Sequence, residues 1–253
     1  MKTKYLLLSL ALLLGLCLFI QKPASPKSAP PSEEEKQLKF NYLLSHRLQS
    51  PLNSLLYPVF IFRDPVVTAL KLNGTWRASG TALVKDGKPL WIISAAHCFT
   101  EDGTYYVTVV TPELTQSVWG IEKVNPPIGS NDIVMARVGV PTKIKGIKST
   151  LQSLYFDRRA EIRSIAVKES AQSLITGEKY HIIGSVTFPG EQPLYLLNYS
   201  CTRAESGSGF LHGDEILVLS QFMVLDTKTQ KELGVKPRDG FYTLLTGAKV
   251  KWP

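Results

Sequence analysis

The chain has 253 residues, 44% of them hydrophobic and 20% charged, the composition of an ordinary globular protein with enough chain for one large domain or two small ones. Its 29 Lys and Arg exceed its 21 Asp and Glu, for a formal net charge of +8. The basic residues are scattered, with no basic helix and no interleaving of basic and aromatic side chains, so nucleic acid is not an expected partner. Of the three cysteines, Cys17 lies in an N-terminal apolar run, leaving Cys98 and Cys201 downstream. At most one disulfide is then available to the domain, and stability must come from a core rather than a disulfide framework.

In chain order, Lys2 and Lys4 precede the uncharged run YLLLSLALLLGLCLFI at 5–20. At ~1.5 Å per residue this helix falls just short of a comfortable bilayer span, and it reads as a signal-peptide core or a short signal anchor. No clean Ala-x-Ala site follows, and Leu16 before Cys17 argues against a lipoprotein signal. Either reading places the remainder extracytoplasmic: membrane-anchored if 1–20 stays, secreted or periplasmic if it is removed. Residues 21–34, QKPASPKSAPPSEE, are a Pro- and Ser-rich linker that buries too little apolar surface to order itself. Ser32 with Glu35 resembles a capping box, and Leu38, Phe40, Leu43, Leu44 and Leu48 recur at near-helical spacing, predicting a helix over about 33–49 that ends before Pro51. The domain proper is expected over 35–253.

The period then changes. Short runs rich in Val, Ile, Thr, Tyr and Phe follow one another: LLYPVFIF, VVTALKL, TWRASGTALV, PLWIIS, TYYVTVVT, QSVWGIEKV, DIVMARVGV, AEIRSIAV, EKYHIIGSV, PLYLLNYS, EILVLSQFMVL and GFYTLLTG. Turn residues punctuate them, as in KDGK, EDGT and FPGEQ. Strands at turn-length gaps with few helical windows predict an all-β barrel or sandwich, and no βαβ unit is present.

A serine hydroxyl becomes a nucleophile when a base sits within hydrogen-bond reach and a carboxylate fixes the tautomer of that base. A β-fold must collect such groups from strand ends. His97 ends the strand LWIISAAHCF, after the small residues Ser94, Ala95 and Ala96. Asp132 opens the strand in SNDIVMARV. Ser206 lies in CTRAESGSGF beside Gly207, with the Glu205 carboxylate placed to brace the loop. Loops of this kind can aim successive N–H groups at one point, as an oxyanion hole requires. Ser208 is also flanked by glycines and is a rival nucleophile. No His, Cys, Asp and Glu cluster has zinc spacing and there is no phosphate-binding glycine loop, so neither metal nor cofactor is expected. His46, His181 and His212 read as structural or exposed.

The ordered segments SAAHC (94–98), NDIV (131–134) and AESGSGF (204–210) resemble the chymotrypsin/trypsin-like serine proteases over roughly residues 55–250. The resemblance implies two antiparallel six-stranded barrels with the site between them. It implies His97 as general base and acid, Asp132 as its orienting carboxylate, Ser206 as nucleophile, and an oxyanion hole from the N–H groups of Ala204 and Ser206. Substrate-binding positions fall at Ser200 and Ser220. Ser200 is uncharged, where trypsin itself carries an Asp, so a basic-residue preference is not implied. The chain departs from the pattern with Ala204 in place of Gly and Glu205 in place of Asp. No Ile-Val-Gly-Gly-like segment stands near residue 55, so activation by cleavage is not implied. Thr81 stands where animal members carry the partner cysteine, making Cys98 an expected free buried thiol. The function expected is an exported or membrane-anchored serine endopeptidase, monomeric, acting on peptides or proteins. The alternative is a catalytically inactive protease-like domain that binds peptides or partner proteins in the same cleft.

Overall fold

The computed structural model describes residues 56–68, 71–110, 116–128, 132–149, 161–164, 169–187, 193–199, 201, 203–213, 215–236 and 241–248. The apolar run, the linker, the helix expected over 33–49 and Ser200 lie outside them. The strands are β1 (Leu56–Arg63), β2 (Val66–Thr68), β3 (Lys71–Asn73), β4 (Trp76–Lys85), β5 (Lys88–Ala95), β6 (Gly103–Val110), β7 (Gln116–Val124), β8 (Ile133–Gly139), β9 (Lys143–Ile144), β10 (Glu161–Ser164), β11 (Ser170–Ser173), β12 (Lys179–Thr187), β13 (Leu194–Leu197), β14 (Gly209–His212), β15 (Glu215–Val224) and β16 (Phe241–Ala248). Two 3-10 turns, Ala96–Phe99 and Arg203–Glu205, and one short helix, α1 (Thr227–Glu232), complete the described elements.

The first sheet runs β1-β4-β5-β8-β7-β6, and β6 pairs back onto β1, closing a six-stranded antiparallel barrel with β9 appended to β6. The second runs β10-β12-β11-β14-β15-β16-β13 and curls until β13 also pairs with β12. Side chains alternate across each strand, and this divides the apolar residues between two destinations. In β1, Val59 and Ile61 enter the barrel interior with Ala82, Ile92, Val107, Ile121 and Val134. Phe60 and Phe62 face outward and pack with Trp76, Ile175 and Ala204. Leu83 and Ile93 likewise meet Leu174, Ile216 and Val218. The outer face of the first barrel is thus the seam with the second sheet, which is why VFIF reads as continuously apolar. Phe60 is 1% exposed and meets Trp76 edge-on at 5.3 Å between ring centres; burying such a side chain is worth about 1.5–3 kcal/mol.

The β4–β5 hairpin turns on Asp86 and Gly87, at φ 51° and 72°, between the paired residues Lys85 and Lys88. Positive φ at both central residues is the two-residue turn whose twist matches the flanking strands. The strand expected over VVTALKL is instead the separate hairpin β2–β3, with Val66 paired to Asn73. The short strands β9, β11 and β14 and helix α1 carry no expectation from the sequence. They are brief or polar, and α1 is marked chiefly by its cap, Asp226 Oδ1 accepting from Thr229 N at 2.7 Å. Among the described residues no helix is long and apolar enough to cross a membrane.

Candidate active site

Strand β5 delivers His97 through a 3-10 turn. In such a turn positions i and i+3 share a face, and Ala96 and Phe99 are both fully buried while His97 and Cys98 are half-buried at the surface. Phe99 anchors the turn against Tyr105, 5.0 Å between ring centres. The β5–β8 ladder carries Ala95 opposite Ile133. Its next bond, Ala96 N to Asp132 O at 2.9 Å, sets Asp132 beside the turn. Asp132 is 4% exposed, and its carboxylate has three partners: Oδ2 lies 2.5 Å from His97 Nδ1, and Oδ1 accepts from His97 N at 3.0 Å and Ser149 Oγ at 2.8 Å. A carboxylate on Nδ1 selects the tautomer that keeps Nε2 as acceptor. Ser149 has no sequence signal; it lies in an unpatterned stretch and reaches Asp132 only through the fold.

Ser206 is held by the seam between the sheets. Its carbonyl accepts from Ser79 N at 2.8 Å and from Cys98 Sγ at 3.5 Å. Ser79 Oγ also donates to the carbonyl of Ala204 at 3.0 Å, and Gly207 N donates to Leu219 O at 2.7 Å. Gly207 stands at φ 90°, where an added Cβ would overlap the Ser79 carbonyl and Ser94 Oγ. Only glycine meets both conditions. Glu205 is 1% exposed and accepts from Tyr199 OH at 2.9 Å, so the brace expected of Glu205 has a built partner. Burial and the Glu205 charge both push the Tyr199 hydroxyl upward, keeping it a donor.

Arg203–Glu205 forms a 3-10 turn. In such a turn amides bond back toward carbonyls three residues earlier instead of converging on one point. Ala204 is not among the residues at positive φ, which outside glycine are Asp64 and Asp86 among the described residues. The two N–H groups expected of Ala204 and Ser206 thus belong to a segment wound as a 3-10 turn, with Ala204 outside the left-handed region. A Cβ at 204 disfavours the left-handed backbone that is open to glycine.

His97 and Ser206 line one cleft of about 150 Å³ with Arg63, Arg77, Cys98, Thr100, Glu101 and Tyr105. Burial alone would lower the His97 imidazole, but the Cys98 sulfur and the Asp132 carboxylate outweigh it and push it up to about 10. Cys98 is a free thiol, half-buried rather than fully buried, and it forms no disulfide with Cys201. Ser208 is 4% exposed, does not line the cleft, and its Oγ is buried without a hydrogen-bond partner. Ser220 is the bulged residue of β15, between Leu219 and Gln221, and is 1% exposed. It makes no hydrogen bond to Asp132; Ser149 takes that place. Among the described residues no three His, Cys, Asp or Glu side chains gather in a metal-binding group. The arginines of the cleft, Arg63 and Arg77, were not singled out by any motif.

No protein-family model matches the chain, and no curated protein matches it. Among solved structures, it is similar to the apo crystal structure of the MamO protease domain from Magnetospirillum magneticum. The TM-score is 0.36 at 10% identity, over 75% of this chain and 90% of that one.

Proposed function

We propose that the chain is a serine-type endopeptidase, exported or held at a membrane by residues 1–20, that cleaves peptide bonds through Ser206, His97 and Asp132. The observation that carries this reading is the His97–Asp132 pair, 2.5 Å apart, with His97 lining the same cleft as Ser206. Three separate stretches of chain supply these residues, and acyl transfer needs a base, its orienting carboxylate and a serine. Neutral His97 takes the Ser206 proton as the hydroxyl attacks the scissile carbonyl, then gives it to the leaving amine; water hydrolyses the acyl-enzyme by the same steps in reverse roles. Asp132 stays ionised, fixing the tautomer and offsetting the imidazolium charge. With the pKa of His97 raised, the neutral base becomes available as pH rises.

The test is labelling with a fluorophosphonate probe, comparing the wild type with Ser206→Ala, Ser208→Ala and His97→Ala. The expected result is labelling lost in Ser206→Ala and His97→Ala and kept in Ser208→Ala. A folded wild type that takes no probe at any pH up to 10 would sink the catalytic reading.

A second reading, a protease-like domain that binds peptides without cutting them, is favoured by the 3-10 turn at Ala204. An oxyanion hole contributes about 2.7–4 kcal/mol per donor, and a site without it retains a binding cleft but little catalysis. The probe experiment separates the two readings.

A further inference from the structure

We infer that Arg77 forms a subsite for an acidic residue on the leaving-group side of the scissile bond, so that the substrates are peptides carrying Asp or Glu just beyond the cut. The inference rests on the endopeptidase reading for its direction. His97 must hand its proton to the leaving amine, so the leaving half of a substrate lies on the side of His97. The cleft stands on that side. Apart from Ser206 its walls come from the first barrel and its connections: Arg63 from β1, Arg77 from β4, His97, Cys98, Thr100 and Glu101 from the turn after β5, and Tyr105 from β6.

The charges of the cleft do not cancel. Arg63 is paired with Glu101 and lies 3.9 Å from Asp64. His97 is held by Asp132. The Tyr105 hydroxyl is used by the Glu101 carbonyl at 2.7 Å. Arg77 is exposed on β4 and has no ion pair among the described residues. One positive charge is therefore left over in a cleft sized for a single side chain. A guanidinium presents a planar fork of donors that a carboxylate accepts in pairs. A substrate Lys or Arg would meet that charge as repulsion, since Glu101 is already engaged by Arg63.

Two matched peptide series test this on the full chain: Glu, Gln or Lys at the first and second positions after the cut. Arg77 is exposed, so Arg77→Gln and Arg77→Glu are expected to fold. The wild type is expected to favour Glu over Gln by roughly five- to tenfold in kcat/KM, a pair between an exposed ion pair and a charged hydrogen bond. Arg77→Gln removes that preference, and Arg77→Glu inverts it toward Lys. The same peptides are titrated by NMR onto Ser206→Ala, where the Glu-over-Gln ratio is read as binding without turnover. Equal handling of Glu and Gln by the wild type, or a preference that survives Arg77→Glu, overturns the subsite. Probe labelling absent while Ser206→Ala still prefers Glu overturns the catalytic reading and leaves the subsite standing.

Discussion

The two halves of the site are built to different standards. At the His97 corner, the β5–β8 ladder runs directly into the turn, and the bond from Ala96 N to Asp132 O continues the strand register. The Asp132 carboxylate is buried with three partners and has no freedom left to reorient. At the Ser206 loop, the flanks are equally tied: Ser79 holds two carbonyls, Leu219 holds Gly207, and Tyr199 holds Glu205. Between those ties the peptides of Ala204 and Glu205 stay wound in a 3-10 turn. The His97–Asp132 pair is fully tied, whereas the segment proposed to supply oxyanion donors is wound in a turn. In an acyl-transfer enzyme, pre-organised charge stabilisation is the costlier half to leave unbuilt, because the site must then reorganise at the moment of reaction.

The largest expected effect removes the orienting group of the finished half. Asp132→Asn keeps the shape but places an amide donor opposite Nδ1, which favours the wrong tautomer, and kcat/KM should fall by about 10⁴-fold. Probe labelling rates and peptide hydrolysis both measure it. A loss below tenfold would mean that the His97–Asp132 pair is a structural tie between β5 and β8 and not part of the chemistry.

A smaller change, of opposite sign, addresses the unfinished half. Ala204→Gly removes the Cβ that penalises the left-handed backbone, a penalty of about 1–2 kcal/mol, so the population with converging N–H groups should rise. The expected outcome is a roughly five- to thirtyfold gain in probe-labelling rate with little change in KM for small esters. Ala204 is also buried beside Phe60 and Trp76, and losing its methyl costs some stability, which a melting curve records separately. An unchanged rate would show that the turn is not what limits the site.

The same division explains what the sequence could disclose. His97 and Asp132 were legible because each sits at the end of a short apolar run that is local in sequence, and the ladder needs only those strands to bring them together. The special backbone of the Ser206 loop was legible through its glycine, and Gly207 does stand at φ 90° against the Ser79 carbonyl. Ser149 was not, because its bond to Asp132 is tertiary and nothing around it is patterned. Nor was the closing pair β1–β6, since barrel closure depends on curvature that alternation does not encode. The cleft arginines were read as scattered surface charge; only the fold sets Arg63 and Arg77 beside His97.

The smallest effect is a displacement along the pH axis, and it tests the link between the two halves, since Cys98 touches both. Its sulfur contacts the Ser206 carbonyl at 3.5 Å and, with Asp132, holds His97 up at about 10 against the lowering effect of burial. The unfolded imidazole titrates near 6.5. A folded value above the unfolded one stabilises the protein fully below pH 6.5, and that stability is lost as pH rises toward 10. The neutral base needed for attack appears over the same interval. Activity should therefore climb while stability declines between pH 6.5 and 10. Labelling rate and urea midpoint, each measured at half-unit steps, should trace opposite slopes. Cys98→Ser removes the sulfur's contribution and leaves that of Asp132, so both curves should move to lower pH together. A rate profile inflecting at 6.5 in the wild type would mean that neither neighbour raises His97. Two curves that part company in Cys98→Ser would mean that the base limiting the rate is not the group whose protonation stabilises the fold.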